Sequence, residues 1–447
     1  MTIGLSDPFL DDHEVAPSCF DLTGRYTPGS IRDQMLRACL LVQRLNERAK
    51  LAGRSVLIVG MGACGVTAGI EAARVGARVT MIEKNATPFS AQRMGASRWI
   101  DPTLYDWPLQ HWQIGNFPPS PGTHTPLQWR GGPAFAVQAD WLHQLREAES
   151  TLAPNLQLMY STAFQHILLR PKGSIRVTTS TGESTRTKSY HYVVFCHGFG
   201  EEITTIGQYV GRPFWAPQTE GAGASDGGEI LVIGGGDGAL QDFLIAVTGE
   251  RSAGKLLEAI LPPDVRNSVS SAIQSAEDQA QRSLLWSPDA SHDHPIFQEL
   301  ERVHDTAVSS ALGNAAVRPA LTRAIIPGRK VTIAHTCSHF SRAYALNRFL
   351  TLLILRHSED SGMITRTKGV RASNAETSED RQRVTFVSAS CGAQDANKPD
   401  TLEFPGIIVR AGQRPAPGIT RAYESGRTRR LNPPRPVRQS LPYYLSA

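Results

Sequence analysis

"RSVLIVGMGACGVTAGIEAARVGARVTMIEKN", residues 54–85, decides the fold. Residues 56–59 are a short apolar strand. Gly60, Gly62 and Gly65 follow with the spacing G-x-G-x-x-G. Residues 66–75 then repeat as a helix with an alanine-rich face, and "ARVTMIE" returns as a second strand ending at Glu83. Each position has a physical task. A glycine at 60 permits the tight turn, one at 62 lets backbone approach a pyrophosphate, and one at 65 lets helix and strand pack closely. The helix N-terminus offers amide donors and a positive dipole to phosphates. Glu83 falls where a carboxylate accepts ribose hydroxyls and repels a 2′-phosphate.

A second strand–turn–helix stands at 229–245, "EILVIGGGDGALQDFLI", with Gly234, Gly236 and Ala239 at the three fingerprint positions. Taken alone, that string suits either the nicotinamide half of a two-site oxidoreductase or a transferase binding a sulfonium nucleoside. What surrounds both turns is a shared plan. After the first come the β-type runs "NLQLMYSTAFQHILLRP" and "SIRVTTSTGES", then "SYHYVVFCHGFGEE", a buried strand closing at Gly198. After the second come "MITRTKGVRASN", "QRVTFVSAS" and "DTLEFPGIIVRAGQRP", closing at Gly412. The duplication predicts an α/β chain of two Rossmann-like three-layer domains, each with a small β-meander.

These motifs resemble the two-dinucleotide-binding-domain flavoproteins of the glutathione reductase-like superfamily. The resemblance covers residues 54–205 most clearly, with Cys196 and His197 standing where the closing strand usually has Ala and Thr. It implies FAD on the first unit, with Gly60, Gly62, Gly65 and Gly198 around the pyrophosphate and Glu83 on the adenosine ribose. Backbone at Ala163 and Phe164 would face the adenine, and Ser97 and Arg98 the pyrophosphate or ribityl chain. The second unit would hold NADP or NAD at Gly234, Gly236 and Ala239. Its second strand is expected at "GKLLEAILPP", which could equally be a turn of helix. As a strand it makes Glu258 the ribose ligand and Arg251 the nearest cation. The implied activity is that of an FAD-dependent oxidoreductase, an oxidase, dehydrogenase or atypical monooxygenase acting on a small molecule. A non-catalytic dinucleotide sensor, an interaction protein and the sulfonium-nucleoside transferase are the alternatives.

The expected division is an extension with an amphipathic helix at 1–53, the FAD domain at 54–205, a second domain at 206–415 and an Arg/Pro-rich tail at 416–447. The second domain carries a helical insertion at about 262–324, a lid, a homodimer surface or, equally, a surface embellishment. The tail's composition predicts poor order. Its arginines suit a solvated segment more than a nucleic-acid site. Apolar residues are 40% and charged residues 19% of the 447, with a formal charge of +5, a globular balance. Six cysteines at 19, 39, 64, 196, 337 and 391 show no C-x-x-C spacing. That argues for reduced thiols and a cytoplasmic setting, and against a thiol relay of the reductase kind. Cys64, inside the first turn, reads as a packing residue. The start is not a secretory signal and no apolar run is long enough to cross a bilayer.

The segment "SRWIDPTLYDWPLQHW", 97–112, concentrates three of the seven tryptophans with carboxylates and an imidazole. It is expected either to line the flavin, with Asp106 and His111 as proton-handling residues, or to plug a gap. His335, Cys337 and His339 lack a fourth ligand and carry no metal prediction. His292 and His294 read as a solvated loop.

Overall fold

A computed structural model describes residues 7–23, 26–27, 29–95, 98–118, 125–169, 174–216, 228–286, 295–340, 343–378, 381–389, 400–414, 421–424, 427–430 and 437–438. The chain forms two compact units. One comprises residues 1–94, 116–201 and 414–447, the other residues 95–115 and 202–413.

In the first unit a six-stranded sheet runs, edge to edge, through Glu14–Ala16, Cys19–Asp21, Tyr192–Phe195, Ser55–Val59, Arg78–Ile82 and Leu156–Met159. The last five are parallel, in Val56–Val79 and Leu156–Val79 register. Alternation along the central strand sets the layers. Leu57 and Val59 join Ile167, Leu169, Ile175 and Val177 of the meander in one core. The other face takes the helix Ala63–Arg74, packed so closely that a Cβ on Gly69 would lie 2.4 Å from the Met81 sulfur. The helix Ile31–Ala49 begins in a capping box of Ser30 and Asp33 and packs on Ala63–Arg74.

The second unit repeats the plan. Its four-stranded parallel sheet runs Ile364–Lys368, Lys330–His335, Glu229–Ile233, Gly406–Val409. Leu231 and Ile233 face the meander of Val370–Ser378, Arg381–Ser388 and Asp400–Phe404. Ile230 and Val232 face the helices Asp237–Thr248 and Ala345–His357. The predicted class, two three-layer Rossmann-like units each with a meander, is the fold.

Three expectations are corrected. "GKLLEAILPP" is no strand: Ser252 caps Lys255 N–H, and Ala253–Ile260 is a helix burying Leu256, Leu257 and Ile260 at helical spacing. The second strand is Lys330–His335, and the insertion is the whole run of helices Ala253–Ile260, Pro263–Trp286, Pro295–Leu312 and Val317–Ala324 before it. Second, the tail is not featureless. Arg421–Glu424 pairs in parallel with Thr162–Leu169, and Arg427–Arg430 turns back on it, so both extend the first meander. Backbone hydrogen bonding to an open sheet edge overrides composition here. Third, residues 95–115 belong to the second unit rather than to the domain whose sequence they interrupt.

Candidate dinucleotide sites

In the first unit Gly60 follows the central strand with φ +103°, and its N–H bonds Ile82 O. A Cβ there would lie 2.4 Å from Cys196 O, and one on Gly65 would lie 1.9 Å from Gly60 O. Protein packing alone therefore demands those two glycines. Gly62 is different. It is the helix N-cap in an extended conformation open to any residue, and a Cβ on it would meet nothing within 4 Å. No side chain caps the helix. An open concavity at an uncapped N-terminus fits a phosphate group.

Glu83 leaves the second strand buried. Its Oε2 accepts Met61 N–H at 2.9 Å, while its Oε1 accepts Asn85 N–H at 2.9 Å and Asn85 Nδ2–H at 2.7 Å. A carboxylate has about four lone-pair sites, so Oε2 keeps capacity for a ribose hydroxyl. Thr162 N–H bonds Glu83 O, which sets Ala163 and Phe164 one and two residues beyond the acid. Both pair with the next strand, at Ser180 and Thr179, and the Phe164 ring stands edge-on to Phe195 at 5.4 Å. Gly198 has φ +82° and open space beside it. His197 is exposed and stacks on Phe195 at 5.6 Å. Met61, Glu83 and Thr162 are thus joined by hydrogen bonds at neighbouring strand ends, beside Gly60 and Gly62. These residues fit an adenine dinucleotide.

The second turn matches it position by position. Gly234 has φ +137° and bonds Ala334 O, as Gly60 bonds Ile82 O. A Cβ on Gly234 would lie 2.2 Å from Arg410 O, whereas Gly236, again an uncapped N-cap, has nothing within 4 Å. Ala239, at the third position, is buried. Asp237 is turned away from the concavity: its Oδ1 accepts Tyr344 N–H and Asn347 Nδ2–H, each at 2.9 Å. Burial pushes its carboxyl up to about 6, against the pull of those bonds.

Registration identifies the residue that stands where Glu83 stands. Val59 pairs with Ile82 and Ile233 with Ala334, so His335 is the counterpart of Glu83. Sequence spacing missed it because the insertion separates helix from strand. The only signal was "RKVTIAH" itself, an apolar strand with a polar end. The ring is buried beside Gly235, where a Cβ would lie 3.4 Å from Nδ1. Nε2 accepts Arg366 Nε–H at 2.9 Å, which leaves the proton on Nδ1, and Nδ1 has no partner. Burial and the Arg366 charge push the imidazole down to about 3. An orphaned donor at the glycine turn fits a nucleotide. Beyond it Thr336 and Ser338 are exposed, Lys368 is exposed, and residues 335–340 contain no carboxylate. Arg366 is held by Glu301 at 2.8 Å. Glu258 lies on the Ala253–Ile260 helix 3.8 Å from Arg266, and Arg251 precedes that helix, so neither ends a strand.

Several nominated residues do other work. Arg98 is buried in the second unit. It grips Asp242 through NH1 and through NH2 at 3.2 Å, donates to Phe214 O at 2.7 Å, and lies 3.8 Å over the Phe214 ring. Asp242 also holds Arg410 at 2.7 Å. The Arg98 guanidinium is thus engaged within the second unit by the Asp242 carboxylate and the Phe214 carbonyl. Ser97 lies outside the described residues, as do His292 and His294. Trp107 is 2% exposed and tilts on Phe349 at 5.3 Å, within the second unit's core. Tyr105 stacks on Tyr344 at 4.1 Å and accepts Gln241 Nε2–H at 2.6 Å. Asp106 and His111 face each other, Oδ2 to Nε2 at 3.5 Å. His339 tilts on Phe297 at 5.4 Å.

No protein-family model and no curated protein sequence matches the chain. Among solved structures it is similar to thioredoxin reductase of Lactococcus lactis, with 14% identity over 82% of this chain and 80% of that one and a TM-score of 0.39. It is similar to the bacillithiol disulfide reductase of Staphylococcus aureus, with 10% identity, 82% and 79% coverage and a TM-score of 0.42. It is also similar to an ornithine N-hydroxylase of Kutzneria, solved with reduced FAD, NADP+ and L-ornithine, with 14% identity, 81% coverage of both chains and a TM-score of 0.37. Among the described residues no helix is long and apolar enough to cross a membrane.

Proposed function

We propose that the protein is an FAD-dependent oxidoreductase that takes reducing equivalents from NADPH and acts on a small molecule. The observation that carries the reading is the pair Gly62 and Gly236. Both are glycine without any demand from backbone conformation or neighbouring protein atoms, and both cap a helix that nothing else caps. A dinucleotide pyrophosphate at each turn explains them.

When bound, FAD supplies the hydride chemistry. The chain's own residues bind and discriminate. Gly62 and the amides of the Ala63–Arg74 helix hold the FAD pyrophosphate, Glu83 takes an adenosine ribose hydroxyl, and the Ala163–Phe164 backbone borders the adenine. At the second turn Gly236 and the Asp237–Thr248 helix hold the other pyrophosphate. His335 supports NADPH over NADH. A neutral Nδ1–H donor replaces the carboxylate that would repel a 2′-phosphate, and Thr336, Ser338 and Lys368 add hydroxyl donors and a positive charge. Asp106 and His111 enter the proposal as the proton-handling pair, the carboxylate orienting the imidazole. Anaerobic titration of the purified protein with NADPH and with NADH tests the reading. Bleaching of flavin bands by NADPH at concentrations where NADH is inert supports it. Preference for NADH removes the assignment at His335, and a protein that takes up no FAD removes the whole.

A further inference from the structure

The fold brings two cysteines, far apart in sequence, together beneath the first glycine turn. Cys64 occupies the second residue of the Ala63–Arg74 helix and is half-buried; Cys196 follows the strand Tyr192–Phe195 and is buried. Cys64 Sγ donates toward Cys196 Sγ at 3.9 Å. The backbones are equally close. A Cβ on Gly60 would strike Cys196 O at 2.4 Å, and one on Gly65 would lie 3.2 Å from Cys196 Cβ. The Cys64 contact and burial hold the Cys196 thiol well above the usual range. Cys196 is therefore the enclosed sulfur of the pair, while the half-buried Cys64 is the one that a disulfide in solution can reach.

We propose that Cys64 and Cys196 are a reversible dithiol–disulfide pair that clasps the dinucleotide turn to the closing strand, oxidised by a low-molecular-weight disulfide such as oxidised glutathione. A protein disulfide requires about 2.05 Å between sulfurs, so the 3.9 Å contact has to close by about 2 Å. Cys64, as thiolate, attacks one sulfur of the oxidant and expels one glutathione thiolate, which takes a proton. Cys196 then passes its proton to water and attacks Cys64 Sγ, and the second glutathione leaves as a thiolate that takes a proton from water. Two protein thiols become one disulfide, and one oxidised glutathione becomes two reduced molecules. The covalent pair does not depend on the cofactor reading; its influence on the flavin does.

The test uses the full-length protein equilibrated in glutathione buffers of graded potential, acid-quenched, alkylated and mapped by mass spectrometry. The expected result is joint loss of the Cys64 and Cys196 thiols and a linked peptide pair two hydrogens lighter than its parts, restored by a monothiol reductant. Cys196→Ser should trap a glutathione adduct on Cys64, and Cys64→Ser should leave Cys196 unmodified. Buried Cys39 should stay reduced throughout. A stable glutathione adduct on Cys64 of the unaltered protein, a Cys39–Cys64 linkage, or both thiols remaining free in fully oxidised glutathione overturns the pair. Flavin content, read in parallel, separates this outcome from that of the cofactor: a linked pair in a protein without flavin supports the clasp and removes the flavoprotein reading.

Discussion

The two glycine turns are the same device tuned differently. Each has a left-handed glycine forced by a carbonyl across the turn, and each has an open glycine capping a helix. They diverge at the third position and at the end of the second strand. The first has Gly65 and Glu83; the second has Ala239 and His335. A carboxylate there favours a bare ribose, while a neutral imidazole beside Arg366 tolerates a phosphate. Under the proposed function, one architecture would separate two dinucleotides by what ends one strand.

The largest effect that can break this comparison is at the third position. Gly65→Ala places a Cβ 1.9 Å from Gly60 O, and the overpacking should destabilise the first unit by about 3 kcal/mol. Ala239→Gly at the matching place should cost only about 1 kcal/mol, from helix propensity. Urea unfolding of both variants checks the asymmetry, and equal losses would dissolve it. Next comes Glu83→Gln, which weakens three accepted hydrogen bonds along with the ribose contact. Charged hydrogen bonds contribute about 1.5–3 kcal/mol, so FAD affinity should fall roughly ten- to a hundredfold, measured by flavin fluorescence on apoprotein titration. His335→Glu copies the first unit into the second and should turn a preference for NADPH into one for NADH. A shift of about tenfold in relative affinity, or 1.4 kcal/mol, is expected.

The last effect is in pH. The folded state holds His335 near 3, against about 6.5 in an unfolded chain. Between those values the unfolded chain binds more protons, so this residue's stabilisation is full above pH 6.5 and lost as pH falls toward 3. His335→Gln should flatten the difference in unfolding midpoint between pH 7 and pH 5 relative to the unaltered protein. An identical slope in both would contradict the buried neutral ring.

Much of this was legible in the sequence because it is local. Gly60, Gly62, Gly65 and Glu83 lie within one strand–helix–strand unit, and the meanders keep their alternation. His335 was not legible, because a helical insertion stands between the second turn and its strand and spacing rules do not survive it. Glu258 was nominated in its place from a run whose Ser252 cap and helical burial pattern point the other way. The partners of Arg98 were not legible for a related reason: Asp242 and Phe214 lie over a hundred residues on in the sequence, within the same unit. The Cys64–Cys196 contact is likewise non-local, and single cysteines at wide spacing gave no hint of it.

The most direct test of two separate dinucleotide turns is the visible spectrum of two matched variants, Gly62→Val and Gly236→Val, each taken before and after anaerobic NADPH. An added Cβ meets nothing within 4 Å at either position, so both should fold. Gly62→Val should be colourless, and Gly236→Val should be yellow but not bleached by NADPH. A yellow, NADPH-reducible Gly62→Val protein would contradict the account at its centre.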